Sequence, residues 1–192
     1  MDYHHIFGAF SITLQFLCLV PYFAGIFKKM VKPHGFTWLL WGTLSGITLA
    51  VQLNEGAGAG AWLSASNLIL DLAIAVLAFH FGTFTIARSD WAVLITALLA
   101  IPLWLLTDNP LWSVLIVCGI NLLGCYPTFR KSWSKPQDEF SMTFLLGGVS
   151  ALLSIVALDN LHVTNFLYPL VIGISNLSLV TMIWYRRLKV NN

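Results

Sequence analysis

Seven apolar runs, most of them close to twenty residues long and joined by short polar turns, fill nearly the whole chain. A hydrocarbon core about 30 Å thick is crossed by an α-helix of roughly 20 apolar residues. No water reaches that core, so a crossing segment has to satisfy its own backbone hydrogen bonds, which a lone segment does only as a helix. The runs are about Ile6–Phe27, Phe36–Leu53, Ala61–Phe81, Trp91–Leu106, Leu111–Arg130, Phe140–Leu158 and Thr164–Tyr185. The fourth is the shortest and holds Pro102. Gly56-Ala57-Gly58-Ala59-Gly60, before the third run, reads as a flexible turn. Only 9% of the residues are charged, against roughly 25% in a soluble domain. The chain is expected to be an all-α, multi-pass integral membrane protein with no room for a soluble domain. Its first segment, Met1-Asp2-Tyr3-His4-His5, lacks the positive charge of a signal peptide, so the first run is expected to be retained as a span.

The basic residues set an orientation. Lys28, Lys29 and Lys32 follow the first run and Arg88 the third. Arg130, Lys131 and Lys135 follow the fifth, and Arg186, Arg187 and Lys189 the seventh. If all seven runs cross, every Lys and Arg lies on one side. Glu55, Asp108 and Asp159 lie in the opposite turns, which carry no basic residue. Positive loops stay in the cytoplasm, so the N-terminus is expected outside and the C-terminus inside. The expected location is the cell (inner) membrane, or an organelle membrane in a eukaryote.

An internal repeat is also legible. Ser66-Asn67-Leu68 in the third run returns as Ser175-Asn176-Leu177 in the seventh, 109 residues later. Gln15 and Asn121 each stand six residues before a proline, Pro21 and Pro127. Lys32-Pro33 answers Lys135-Pro136, and Phe36-Thr37 answers Phe140-Ser141. The pattern gives a first triple-helix unit over residues 1–87, a linker helix over 88–109 and a second triple-helix unit over 110–192. An odd linker helix lets the second triplet insert in the same sense as the first, a 3-1-3 parallel repeat.

On these features the chain resembles the SWEET and PQ-loop transporter superfamily along nearly its whole length. The resemblance implies alternating access around a central pocket lined by the third-helix asparagines, here Asn67 and Asn176. It also implies that Pro21 and Pro127 act as hinges. The sequence departs from the Pro-Gln dipeptide of the PQ-loop carriers, having Pro21-Tyr22 and Pro127-Thr128. Trp38 and Trp41 lie early in the second run rather than late, so a sugar-stacking platform is not evident.

The residues themselves point to a solute pocket. An amide in the middle of a span faces protein or water rather than lipid. Each amide both donates and accepts, which suits a small polar solute. Asn67, Asn176, Gln15 and Asn121 are the candidates, with Ser64 on the Asn67 face and Trp62 above it towards the outer mouth. Asp71, four residues after Asn67 and so on the same helical face, is the only acid inside an apolar run. A charged carboxylate there costs roughly 2.5–3.5 kcal/mol on insertion scales, which makes Asp71 the proton-coupling candidate. Its counterpart in the second repeat is Val180.

No nucleophile–base pair, paired catalytic carboxylates or phosphate loop can be found, and no enzyme, cofactor or metal site is expected. Cys18, Cys118 and Cys125 all lie in apolar runs and read as packing residues. The expected function is alternating-access transport of a small polar solute, such as a sugar or amino acid, with protons as a candidate coupling ion. The alternatives on the same scaffold are a receptor, as in the KDEL receptor branch, or a vitamin or nucleoside facilitator. The expected partners are the solute, the bilayer and protons, with a homo-oligomer as an alternative to the monomer and nucleic acid excluded.

Overall fold

The computed structural model describes residues 2–30, 33–82, 88–134, 136–138 and 141–190. Seven α-helices occupy the described residues: α1 (Tyr3–Phe27), α2 (Gly35–Asn54), α3 (Trp62–Phe81), α4 (Arg88–Thr107), α5 (Leu111–Ser134), α6 (Ser141–Val156) and α7 (Val163–Val190). No strand occurs among those residues. Four stretches are long and apolar enough to cross a membrane: Tyr3–Phe27, Gly35–Asn54, Gly58–Phe81 and Val163–Lys189. Leu94–Thr107, Leu111–Cys125 and Ser141–Val156 are shorter apolar segments.

The surface is apolar where a soluble protein's would be polar. Leu106, Leu123 and Phe79 are 85%, 75% and 72% exposed, while Ser11, Gln52, Ser150 and Asn165 are fully buried. This inverted arrangement suits a hydrocarbon surround. Trp62, Trp91, Trp112, Trp133 and Trp184 are all exposed, as expected of an aromatic belt.

Two helices run past their apolar segments. α7 continues through Arg186, Arg187 and Lys189, cations that favour a helix C-terminus. Arg186 Nε donates to the carbonyl of Trp133 at 3.0 Å, with its guanidinium 4.7 Å from that indole ring. Arg187 Nε donates to the carbonyl of Pro136 at 3.0 Å. These bonds tie the end of α7 to the end of α5 and the turn after it.

α3 packs between α1 and α2, and α7 packs between α5 and α6. α1 meets α6 and, more thinly, α2 meets α5, so these six helices close a ring. α4 stands outside the ring against α5 and α2. Small residues let the helices approach, as in other membrane bundles. A Cβ on Gly46 of α2 would lie 3.4 Å from Leu68 of α3. A Cβ on Gly148 of α6 would lie 3.1 Å from Leu177 of α7. The leucine of each Ser-Asn-Leu triplet thus seats on a glycine of the neighbouring helix, which turns the adjacent asparagine towards the ring's interior.

The glycine-alanine tract is not the flexible turn expected from its composition. Gly58–Ala61 forms a single 3-10 turn in which Ala59, Gly60 and Ala61 are buried. Composition favoured mobility, but packing against α1, α2 and α6 fixes it. A Cβ on Gly60 would run into the side chain of Leu158 and come within 3.0 Å of its Cα. Gly60→Ala should therefore destabilise the protein by about 1–3 kcal/mol, the usual cost of overpacking. The readout is the unfolding midpoint in detergent; an unchanged midpoint would contradict this packing.

Candidate functional site

The ring encloses a cavity of about 700 Å³, lined by residues of α1, α2, α3, α5, α6 and α7 and by none of α4. Volumes of this order hold metabolite-sized ligands. Asn67, Asp71, Gln15, Asn121, Asn176 and Pro21 all line it. Five of these are the polar residues that the sequence singles out, brought together from four helices.

Each polar group has its own surroundings. Asn67 Oδ1 is buried without a hydrogen-bond partner among the described residues. Asn121 Nδ2 lies 3.5 Å from the hydroxyl of Tyr168, which also lines the cavity. Gly147 leaves room for Asn176, since a Cβ there would stand 3.2 Å from its Nδ2. Asp71 is 7% exposed and accepts one hydrogen bond, from Ser45 Oγ at 3.4 Å.

Two of the expected residues stand apart. Ser64 is buried but outside the cavity lining. Trp62 is also outside it, 37% exposed, with its ring 5.5 Å from that of His5. At the start of α3, Trp62 faces the N-terminal turn of α1 rather than the ring's centre. Pro127 falls within α5, but its side chain lies outside the described residues.

The sequence reading also left out an aromatic wall. Tyr22, Trp38 and Trp41 line the cavity, with ring centroids 4.9 Å apart for Tyr22–Trp38 and 5.1 Å for Trp38–Trp41. Trp38 Nε1 donates to the Tyr22 hydroxyl at 3.1 Å. An early position in α2 suggested no stacking platform; the cavity extends far enough towards that end to include both indoles. The signal was the spacing of Trp38, Trp41 and Ser45, three and then four residues apart and hence on one helix face.

The opposite end of the ring is sealed. Gln52 Nε2 donates to the carbonyl of Asn165 at 3.0 Å, and both residues are fully buried. Asn165 Nδ2 lies 3.2 Å from the carbonyl of Glu55 and 3.0 Å from that of Asn160. The Asp159 amide donates to the carbonyl of Ala57 at 3.2 Å. His4 and His162 approach Asp159 and Glu55 at 3.6 and 3.8 Å. Deeper, Ser11 Oγ donates to the carbonyl of Ser150, and Ser150 Oγ to that of Ser11, each at 2.8 Å. All of these contacts except that between Asn165 and Asn160 join the first three helices and the turn after α2 to the last two helices and the turn between them.

No protein-family model, curated protein or solved structure matches this chain.

Proposed function

We propose that this protein is a seven-span membrane carrier with a 3-1-3 parallel repeat, N-terminus outside, that moves a small polar solute by alternating access. One observation carries the reading. The two Ser-Asn-Leu asparagines, on helices that hold the same place in each triplet, line a single cavity of about 700 Å³. The resemblance to SWEET and PQ-loop transporters supports it, as does Pro21 within α1. A proline removes a backbone hydrogen bond and weakens the helix at that point. The sealed end carries Glu55 and Asp159, the external end on the orientation proposed. The arrangement described is then closed to the outside, with its cavity extending towards the cytoplasmic ends of α1 and α2. Asp71 is the group through which protons would be linked to transport.

Solute counterflow tests the proposal. Proteoliposomes loaded with one unlabelled solute at a time from a panel of sugars, amino acids, amines and nucleosides are given the labelled form outside. A carrier should show transient accumulation of at least one solute above protein-free vesicles. Saturable binding with no counterflow for any member would overturn transport and favour a receptor.

A further inference from the structure

We infer that the solute is a small organic ammonium ion, held by the carboxylate of Asp71 and by the aromatic wall of Tyr22, Trp38 and Trp41. This narrows the carrier reading above and rests on it.

The first ground is charge. Among the described residues Asp71 is the only charged one in the cavity lining, and Ser45 is its single hydrogen-bond partner. Among the described residues no lysine, arginine or histidine lines the cavity. A buried carboxylate normally has a cation or several donors beside it; among the described residues Asp71 has neither, and the cavity is a place from which a counter-charge can come. An anionic solute would meet that carboxylate with no cation among the described lining residues to offset it.

The second ground is the wall. The electron-rich faces of tryptophan and tyrosine attract cations, most strongly where water is excluded. Trp38, Trp41 and Ser45 follow one another on one face of α2, and Ser45 holds Asp71. The aromatic surface and the carboxylate therefore form one continuous side of the cavity. Across the ring lie Asn121 and Asn176, which suit hydroxyl or amide groups on the rest of the solute. The unpartnered Oδ1 of Asn67, one helical turn from Asp71, is a further acceptor for an ammonium N–H or a hydroxyl.

This placement also sets how protons are linked. Among the described residues the other titratable groups lining the cavity are Cys18, Tyr22, Cys125 and Tyr168, thiols and phenols that ordinarily carry no charge near pH 7. Asp71 is then the group that changes charge. One carboxylate cannot keep its proton and also balance an ammonium ion, so the proton leaves to the aqueous phase as the cation binds. Transport becomes an exchange of cation for proton.

Three probes of nearly one shape test this: choline, its neutral carbon analogue 3,3-dimethylbutan-1-ol and the anion 3,3-dimethylbutanoate. Binding is measured by calorimetry on the full-length protein in lipid nanodiscs. Choline should bind saturably, with at least about tenfold preference over both analogues, the scale of one desolvated cation–π contact. Asp71→Asn should abolish that preference, and Trp41→Leu should weaken choline several-fold while leaving the carboxylate in place. Unfolding midpoints of both variants show that they fold; if Asp71→Asn does not, Trp41→Leu and the analogue comparison decide alone. In proteoliposomes with a trapped pH dye, external choline should raise the internal pH in the wild type. Equal binding of the three probes, or no choline binding at all, overturns the inference. Counterflow of a neutral or anionic solute with no ammonium counterflow also overturns it while leaving the carrier reading standing. Asp71-dependent choline binding with no counterflow does the reverse.

Discussion

Alanine at both Asn67 and Asn176 should cut solute transport by about 5- to 150-fold while leaving the protein folded. Each amide can give a polar solute at least one hydrogen bond, worth about 0.5–1.5 kcal/mol net, and tenfold in affinity corresponds to about 1.4 kcal/mol. Folding should tolerate the change because neither amide joins the hydrogen bonds that tie the halves together. Asn67 Oδ1 has no partner at all among the described residues. The leucines beside them, which seat on Gly46 and Gly148, are untouched. Each single variant should show part of the loss. Counterflow in proteoliposomes measures the effect, with unfolding midpoints as the control. Full transport by the double variant would remove the shared-pocket idea.

Asn165→Leu should open the sealed end. Leucine has the same branched skeleton of side-chain heavy atoms as asparagine but cannot donate to the carbonyls of Glu55 and Asn160, which Asn165 serves at 3.2 and 3.0 Å. Asn160 Nδ2 still serves the Glu55 carbonyl at 3.3 Å, so the carbonyl of Asn160 is the one that loses its donor. Leaving it unpaired costs about 1–3 kcal/mol in the sealed state and little once water enters, a shift of about 5- to 150-fold in population. A cysteine placed at Asn67, in a background with Cys18, Cys118 and Cys125 replaced by alanine, reports the opening. A membrane-impermeant thiol reagent added on the external side should modify it at least about tenfold faster in the Asn165→Leu protein, within that shift. An unchanged rate would mean that this cluster only stabilises the fold.

The helices were legible because hydropathy and helix length are one-dimensional signals. Boundaries moved by a few residues where the deciding contact was tertiary, as for α7, whose last turns are tied down by Trp133 and Pro136. Asn67, Asn176, Gln15, Asn121 and Asp71 were legible because a polar group in an apolar run stands out, and all five line the cavity. Trp38 and Trp41 were set aside for lying early in the second run, since their role depends on a neighbour from another helix, Tyr22, that turns them into a wall. Trp62 was misplaced for a related reason. Its height along α3 could be read from the sequence, but its direction depended on His5 and Gly8 of α1. The ordered Gly58–Ala61 turn was hidden because its rigidity comes from Leu158, almost a hundred residues away.

The ring is closed by the meeting of α1 and α6, and the serines that bond across that seam are 139 residues apart. Synthesis delivers the helices in chain order. For most of that time α1, α2 and α3 exist without the second half, and Asn67 and Asp71 have no cavity to face. Until α6 and α7 arrive, an amide and a carboxylate border lipid, other proteins or the insertion machinery. On the seven-span reading proposed above, an unfinished or unpaired first half therefore displays within the membrane the polar groups that the finished protein encloses. Such groups are costly in hydrocarbon, and they offer membrane chaperones and proteases a chemical mark of incompleteness. The residues proposed to bind solute in the mature protein would also be the ones that label its precursor for retention or removal.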